Sequence, residues 1–262
     1  MLRLLATIVA VLAGIGGAAA GCFPVAQAPS LLHRAAYQPA ALPDGASLRL
    51  SFLGHASFLL ETRGGVTAVT DFNAIYRPAF APDIVTMNNS HGAHWTDRVD
   101  PETRYALRGW NPAGGLAEHD VRVGDLRVRN VPTSVRGRVG DFANSNSIFV
   151  FELDDLCVAH LGHLHHPLAN EHLAELGIID VLLIPVDGMW TMPQATAVEV
   201  VEQLRPSVVI PMHYFAPHVV QSFVEGLGDR WTVRWLETPE WSISRGSLPF
   251  REVVVLPAAR PG

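Results

Sequence analysis

The sequence predicts an α/β (α+β) domain in which two β-sheets pack together with helices outside them. Two observations carry this prediction. Runs rich in β-forming residues and separated by short turns fill the first part of the chain, and helix and strand patterns alternate after residue 160. Hairpins followed by βα units are typical of such an arrangement. A third observation points to function, because histidines follow several of the predicted strands.

The domain is predicted to open with a strand at Leu48. The runs 48–53, 57–62 and 66–70 read as strands, and Arg63-Gly64-Gly65 suits a hairpin turn between the last two. The apolar run 84–87 predicts a short buried strand. Further strands are predicted at 120–124, 126–131, 147–153 and 156–160.

The second part of the chain predicts βα units. Pro193 suits the first turn of a helix, and Pro206 marks the end of that helix because proline is not tolerated in a helix interior. No short repeat and no second domain are evident, so residues 47–262 are predicted to form one domain. The expected helices and strands are 168–176, 180–185, 193–204, 207–211 and 218–226.

Residues 1–22 predict a targeting segment that is not part of the fold. Arg3 precedes an apolar stretch that ends in small residues, which is the layout of a secretory signal peptide. Because Cys22 follows directly, a lipoprotein signal acylated at this residue is one alternative, and a membrane anchor is another. We therefore expect an exported protein, periplasmic or attached to a membrane through its N-terminus. Residues 23–46, rich in Pro and Ala without periodicity, are predicted to be a linker.

Composition narrows the function classes. The formal net charge is −6, and no cluster of Lys and Arg is present to meet phosphates, which argues against a nucleic-acid-binding protein. Histidine is abundant, with 12 residues. Because the charge argues against nucleic acid, a small molecule is the expected class of partner.

Four histidines stand just beyond predicted strands. Neutral imidazole is the commonest protein ligand for Zn²⁺ and also suits iron and nickel. Ligands on loops above a rigid sheet are a frequent way to build a metal site. For any one histidine, an ordinary hydrogen-bonded role is the alternative. The strand-end set is His91, His94, His163 and His213.

These segments, in this order, resemble the metallo-β-lactamase superfamily and, within it, the branch of ascorbate-6-phosphate lactonase-like hydrolases. NSHGAH (89–94) resembles a degenerate form of the HxHxDH signature. The resemblance spans roughly residues 48–240 and implies a four-layer αββα sandwich. The other segments that carry it are LGHASFLLET (53–62), VTDF (69–72), HLGH (160–163) and IPMHY (210–214).

The departures from that signature are as informative as the matches. Asn89 stands in a histidine position, and Ala93 stands where an aspartate helps to orient the attacking water. His163 occupies the place of a bridging carboxylate, and the middle histidine has no match within 131–138. The resemblance therefore implies one divalent ion rather than two. We expect zinc, with iron, manganese and nickel as alternatives. The expected ligands are His94, His163 and His213, with His91 either the fourth ligand or adjacent to the ion.

Three further residues are candidates for catalytic roles. Asp71, in VTDF, matches an aspartate that supports the ligand loop. It is also a candidate to replace the carboxylate missing at Ala93 if it reaches the attacking water, with metal hydroxide acting alone as the alternative. His55 lies in a turn near the site of the resembled branch and is expected to contact substrate or a ligand histidine. Asn89 is expected to position a substrate oxygen through its amide. Ordinary structural roles remain the alternatives for Asp71 and His55.

Aromatic residues adjoin the proposed ligands and predict an apolar substrate pocket, with ordinary packing as the alternative. Part of the resembled family cleaves phospholipid-type substrates, which implies a lipid-like ester. These aromatic residues are Trp95, Trp110, Trp190, Tyr214 and Phe215.

Two functions follow from these observations. The first is a metal-dependent hydrolase, with zinc as the expected metal, that acts on an ester, lactone or phosphodiester through metal-bound water. The second is a non-catalytic metal-binding protein on the same fold, used for metal capture, sensing or partner binding. The tract HLGHLHH (160–166) is a separate candidate for metal capture.

Overall fold

The computed structural model of the protein describes residues 41–137, 140–153 and 156–259. The expected signal segment 1–22, with Cys22, lies outside the described residues, as does most of the expected linker. The described part of that linker, 41–46, has no helix or strand and is tied to the domain, because Arg63 donates hydrogen bonds to the carbonyls of Pro43 and Ala46. Among the described helices, none is both long and apolar enough to cross a membrane.

Two β-sheets form the centre of the molecule. The first sheet has six strands in the order β13-β1-β2-β3-β4-β5, and the second has eight in the order β12-β14-β11-β10-β9-β8-β7-β6. The strands of the first sheet are β1 (Leu48–Gly54), β2 (Ser57–Thr62), β3 (Thr67–Val69), β4 (Ile84–Met87), β5 (Tyr105–Arg108) and β13 (Glu240–Ile243). Those of the second are β6 (Asp120–Val123), β7 (Leu126–Arg136), β8 (Asp141–Leu153), β9 (Leu156–His160), β10 (Val181–Pro185), β11 (Val208–Met212), β12 (Thr232–Trp235) and β14 (Glu252–Val255).

A large apolar core holds the two sheets face to face. Alternate side chains of each inner strand point into it, as the two-residue period of a strand requires. Leu48, Leu50 and Phe58 of the first sheet meet Phe149 and Phe151 of the second, and all five are fully buried. Burial of such large side chains is the main force that fixes the two sheets against each other.

Three helices cover the outer face of the eight-stranded sheet: α1 (Asn170–Leu176), α2 (Gln194–Leu204) and α3 (Pro217–Leu227). Each follows one of the strands β9, β10 and β11, which run parallel to one another, so the helices are the crossovers that parallel strands need. Their buried residues, including Leu176, Val200 and Phe223, form a second core with the outer side chains of these strands.

Within the described residues, irregular segments rather than helices cover the outer face of the six-stranded sheet. Phe72 and Phe80 from one segment, with Trp95 and Val99 from another, pack on Met87 and its neighbours. Both segments begin at the ends of β3 and β4, so the chain that covers this face also leads into the loops at that edge of the sheet.

The predicted α/β class, with two large sheets packed face to face, is confirmed, and the predicted helices match to within two residues at each end. The strand pattern differs in two respects. β7 and β8 are longer than predicted because they continue as a polar hairpin whose exposed residues carry little apolar pattern, and β5, β12, β13 and β14 were not predicted. All four are short, and the residues of β12 are exposed throughout, so periodicity gives little signal there.

The inter-sheet core sets most of the stability. Replacement of the fully buried Phe151 by alanine is expected to lower the free energy of unfolding by roughly 3–5 kcal/mol, because it removes a large side chain and leaves a cavity. Urea denaturation followed by circular dichroism measures this change. The matched control is Phe250→Ala, at a side chain that is 79% exposed, which is expected to change stability by less than about 0.5 kcal/mol. Equal effects of the two substitutions would contradict this account of the core.

Candidate metal centre

Five histidines meet at one edge of the paired sheets. His55 lies in the turn between β1 and β2, and His91 and His94 lie on the loop after β4. His163 follows β9 and His213 follows β11, so both come from the second sheet. Because β9, β10 and β11 are parallel, their carboxyl ends lie at the same edge, and the site is built from both sheets.

The imidazole nitrogens of four of these residues converge. One ring nitrogen from each of His55, His91, His94 and His213 lies within 4.8 Å of the others. The Nε2 atom of His94 is central, at 3.3 Å from Nε2 of His55 and 3.2 Å from Nε2 of His91. The ring of His163 lies beside this group, with its centroid 5.0 Å from that of His94 and 5.2 Å from that of His213.

Asp71 orients His94 from behind. Its Oδ2 atom lies 2.6 Å from Nδ1 of His94, and both side chains are completely buried. Its Oδ1 atom accepts a hydrogen bond of 2.9 Å from Nδ2 of Asn88. A carboxylate at Nδ1 keeps the proton on that nitrogen, so the lone pair of Nε2 points into the cluster. Since both oxygens of Asp71 are engaged away from the opening of the site, its position supports a positioning role for this residue.

Asp187 stands in the same relation to His213. Its Oδ1 atom lies 3.2 Å from Nδ1 of His213. Its Oδ2 atom accepts hydrogen bonds from the backbone N–H groups of Met189, Trp190 and Thr191. Burial by itself would raise the pKa of Asp187, but the contact with His213 and the hydrogen bonds from Thr191 and Trp190 hold it well below its usual range. The sequence analysis did not find this residue; the available signal was a lone aspartate directly after an apolar strand.

The backbone is strained where it presents the site. His55, Asp71 and His213 adopt positive φ angles of 56°, 42° and 56°, a left-handed region that non-glycine residues rarely occupy. The backbone N–H of His213 donates a hydrogen bond of 2.7 Å to the carbonyl of His55. Strained conformations of this kind persist where the surrounding structure fixes them, and they cluster at functional sites.

A polar network places His163. The backbone N–H of His163 donates to Oδ1 of Asn146, at 2.7 Å, and Nδ2 of Asn146 donates to the carbonyl of Leu161 and to Thr133. Gly162, between Leu161 and His163 in the chain, has a φ angle of +59°. A Cβ atom there would lie 2.4 Å from the side chains of both Asn146 and Asn88. Only glycine fits this position. Neither asparagine was singled out from the sequence as a functional residue: Asn146 lies within β8 and Asn88 directly follows β4, and a single buried polar side chain at either place leaves no periodic signal.

The rest of the histidine-rich tract does not join the cluster. His160 is fully buried, and its Nε2 donates to the carbonyl of Ala56 while its Nδ1 accepts from Gly162. His165 contacts Asp141 and the carbonyl of Ser134 instead. Within the described chain, the group of three or more side chains able to hold an ion is the one around His94. The tract therefore contributes one histidine, His163, to the edge of the site.

Asn89 lies outside the histidine group. It is exposed, its backbone N–H donates to the carbonyl of Ser145, and its side chain helps to line a cleft of about 500 Å³ with Trp110 and Asn144. From this position the side chain of Asn89 can contact a substrate in the cleft. Its catalytic role stays a prediction.

Three imidazoles of the cluster, those of His55, His91 and His163, have lowered pKa values and are neutral at pH 7. Burial, with the neighbouring histidines, lowers the pKa of His55 and of His163 to about 3 and that of His91 to about 4. Burial would raise the pKa of Asp71, but the contacts with His94, together with His160 and Asn88, outweigh it and lower the pKa to about 2. At neutral pH the site therefore combines ring nitrogens with free lone pairs and ionised carboxylates behind them.

The residues fit a bound divalent cation. Two tetrahedral ligands about 2.0–2.1 Å from zinc are separated by roughly 3.3–3.4 Å, which matches the 3.2 and 3.3 Å between the nitrogens at His94. Both ring nitrogens of His163 and the Nε2 atom of His213 are buried without a hydrogen-bond partner in the described part of the chain, whereas Nδ1 of His213 faces Asp187. Unsatisfied buried nitrogens are costly, and coordination removes that cost. The predicted ligands His91, His94 and His213 converge, while His55 takes the place expected for His163, whose role as a ligand stays a prediction.

Comparison with known proteins agrees with this geometry. Residues 49–213 match the family described as the beta-lactamase superfamily domain. A UPF0173 metal-dependent hydrolase of Thermococcus onnurineus is 29% identical over 191 residues, which cover 64% of this chain and 84% of that protein. A similar relative from Pyrococcus horikoshii is 28% identical over 192 residues, with the same coverage.

Solved structures share the fold. A Thermotoga maritima protein assigned to the zinc-dependent hydrolases of the metallo-β-lactamase superfamily is 28% identical, with a TM-score of 0.59, covering 79% of this chain and 98% of that one. A metal-dependent hydrolase structure from Parabacteroides distasonis has a TM-score of 0.60 at 16% identity, covering 84% and 97%, and speaks for the fold alone. None of these similarities identifies the narrower lactonase-like branch, which stays a prediction.

The contact between Asp71 and His94 predicts the effect of one substitution. Asp71→Asn keeps the shape of the side chain but removes its charge, so His94 loses the group that fixes its tautomer. We expect the affinity for zinc to fall about 10- to 100-fold, measured by competition with a chromophoric chelator. The control is Asp97→Asn, whose carboxylate is 71% exposed and pairs with Arg108; it is expected to leave zinc affinity unchanged. Unchanged affinity in the Asp71 variant would contradict the positioning role.

The lowered pKa values predict how the metal-free protein responds to pH. His55, His91 and His163 titrate near 3–4 in the folded state against 6.5 in the unfolded chain. Between these values the unfolded state binds more protons, so stability is lost as pH falls from 6.5 towards 4. In chelator, we expect the Tm at pH 5.0 to lie on the order of 5 °C below that at pH 7.5. From pH 7.5 to 8.5 these histidines are neutral in both the folded and the unfolded state, so they do not change the Tm. A Tm that is flat from pH 7.5 to 5.0 would contradict this assignment.

Proposed function

Because this chain belongs to the beta-lactamase superfamily, and because its histidines converge at the sheet edge, we propose that it is a metal-dependent hydrolase. The single observation that carries the proposal is the group of four ring nitrogens within 4.8 Å, belonging to His55, His91, His94 and His213. Its relatives of the UPF0173 group are named metal-dependent hydrolases. Fold alone does not assign a function, so the proposal rests on the site.

Zinc is the proposed metal. A site of neutral imidazoles suits zinc, and the Thermotoga relative is assigned to the zinc-dependent hydrolases. When bound, the ion supplies Lewis acidity, which activates water and polarises the oxygen of the bond to be cleaved. The proposed ligands are His55, His91, His94 and His213, with His163 beside them.

The chain's own carboxylates have a supporting role in this proposal. Asp71 holds the Nδ1 proton of His94, and Asp187 faces Nδ1 of His213, so each presents the opposite ring nitrogen to the ion. The aspartate missing at Ala93 is not replaced by Asp71, which is completely buried. His91 is the most exposed of the group and marks the side from which substrate enters.

The proposed reaction is hydrolysis of an ester, lactone or phosphodiester. We also propose, from the sequence of residues 1–22, that the protein is exported and is periplasmic or membrane-attached. The substitutions at Asn89 and Ala93 favour the second candidate, a metal-binding protein without catalysis. The two functions differ in one measurable property, turnover.

A paired metal and activity measurement tests the proposal. The full-length protein is expected to hold about one zinc ion per chain by elemental mass spectrometry, and the His94→Ala, His213→Ala double variant to hold less than about a tenth of that, since two converging ligands are lost. The control is His218→Ala, an exposed histidine on α3. The zinc-loaded chain is then assayed on p-nitrophenyl acetate, γ-butyrolactone and bis-p-nitrophenyl phosphate.

Each outcome decides between the candidates. Zinc binding with turnover that the double variant lacks supports the hydrolase. Zinc binding without turnover on any of the three substrate classes supports the non-catalytic candidate. A wild-type chain that remains metal-free after incubation with zinc, cobalt, iron and manganese overturns both.

A further inference from the structure

Exposed apolar side chains surround the candidate metal centre. Ten large hydrophobic side chains are notably exposed in the described residues. Four of them lie on the three loops next to the histidine cluster, and we call these four the apolar rim: Ile75 (65% exposed), Trp190 (64%), Met189 (69%) and Phe215 (69%). Scattered exposed hydrophobic residues are ordinary, but a concentration of them at one site marks a binding surface.

Direct contacts tie the rim to the site. The ring of Phe215 lies 6.0 Å from that of His55 and 5.9 Å from that of His213, measured between centroids. Met189 and Trp190 are held by Asp187, which accepts the backbone N–H of both and also faces His213. Substrate at the cluster would therefore meet these side chains first.

The third loop is tied to the site through one asparagine. Oδ1 of Asn73 accepts the backbone N–H of Ile75 and Tyr76, and its Nδ2 donates to the carbonyl of Ala93, between His91 and His94. The ring of Tyr76 in turn lies 6.2 Å from that of His55. The loop that presents Ile75 is thus fixed to the ligand loop.

The charged residues of these loops limit the chemical class of ligand that the rim can bind. Two of the three loops, residues 187–193 and 213–217, contain no Lys or Arg, whereas the loop of Ile75 carries the exposed Arg77. The one acidic residue of those two loops, Asp187, is engaged by three backbone N–H groups and faces His213. Recognition of a phosphate normally relies on Arg or Lys. The part of the rim formed by Met189, Trp190 and Phe215 therefore favours an uncharged, apolar group next to the cleaved bond.

Resting on the hydrolase function proposed above, we propose that the apolar rim binds the acyl chain of a carboxylic ester or lactone, so that the protein selects hydrophobic acyl substrates. In the reaction one water is consumed: its oxygen bonds to the acyl carbon, the acyl C–O bond breaks, and the departing alkoxide receives a proton. The acyl chain stays on the rim while this happens. Trp190 and Phe215 are the side chains that determine specificity.

The test measures selectivity for chain length. Zinc-loaded full-length protein is assayed on p-nitrophenyl acetate, butyrate, hexanoate and octanoate, with the rate of the His94→Ala, His213→Ala variant subtracted. We expect kcat/KM to rise about twofold per added methylene, because the rim covers only part of the chain and full burial would give about fourfold. In Trp190→Ala and Phe215→Ala, the ratio of hexanoate to acetate kcat/KM is expected to fall at least about threefold.

Phe250→Ala is the matched control. Phe250 is 79% exposed and precedes β14, which is parallel to β11, so it lies at the opposite edge of the sheet from His213. The control is expected to keep the wild-type ratio. A second measurement is calorimetric titration of the zinc-loaded chain with hexanoate and acetate, in which hexanoate is expected to bind more tightly, with a negative heat-capacity change that Phe215→Ala reduces.

The outcomes separate this inference from the function on which it rests. Turnover of the esters without chain-length dependence overturns the acyl-binding rim but leaves the hydrolase intact. Turnover of bis-p-nitrophenyl phosphate alone likewise overturns the rim and leaves the hydrolase intact. The absence of turnover on every ester and lactone and on bis-p-nitrophenyl phosphate, with zinc bound, overturns the hydrolase itself. If the rim variants keep the selectivity but lose binding to phosphatidylglycerol vesicles, the surface is a membrane contact and the inference is wrong.

Discussion

The hydrogen bond between Asp71 and His94 is the interaction on which the site depends. A completely buried carboxylate is tolerated only when its oxygens are partnered, and here His94 and Asn88 share them. Asn88 also accepts the backbone N–H of Ser147 on β8, at 2.8 Å. The same small network therefore orients the central imidazole and connects the six-stranded sheet to the eight-stranded one. The other histidines are arranged around a ring nitrogen whose direction this network sets.

The carboxylates of this site stand one layer behind the imidazoles. Family resemblance places carboxylates at Ala93 and at His163, where this chain has none, whereas Asp71 and Asp187 each face the Nδ1 atom of a proposed ligand histidine. The charge of a divalent cation held by these imidazoles would thus be balanced by the carboxylates of Asp71 and Asp187, which contact the imidazoles and not the ion. That arrangement keeps the charge of the site compensated while the side open to solvent stays free of carboxylates. Compared with the pattern of the resembled family, the site has its two carboxylates in different positions and has not lost their negative charge.

Periodic apolar runs predicted the fold class, and the histidines that follow those runs, together with the family resemblance, predicted most of the cluster. Apolar runs marked the strands, and the residues that follow them, such as His94, His163 and His213, were visible as polar breaks. Asp187, Asn88 and Asn146 were missed, because their importance lies in partners 13 to 59 residues away in the chain, which no local pattern reports. The place of His55 in the ligand group likewise depends on its left-handed backbone and on the approach of His213 from the other sheet.

The contribution of ligands from both sheets has a thermodynamic consequence. Because His55, His91 and His94 belong to one sheet and His213 to the other, an ion bound among them is a cross-link between the two halves of the fold. Its binding free energy is then also folding free energy, adding RT ln(1 + [ion]/Kd) to the stability of the native state. With an ion bound as proposed, the temperature at which this protein unfolds would rise with the concentration of free metal around it.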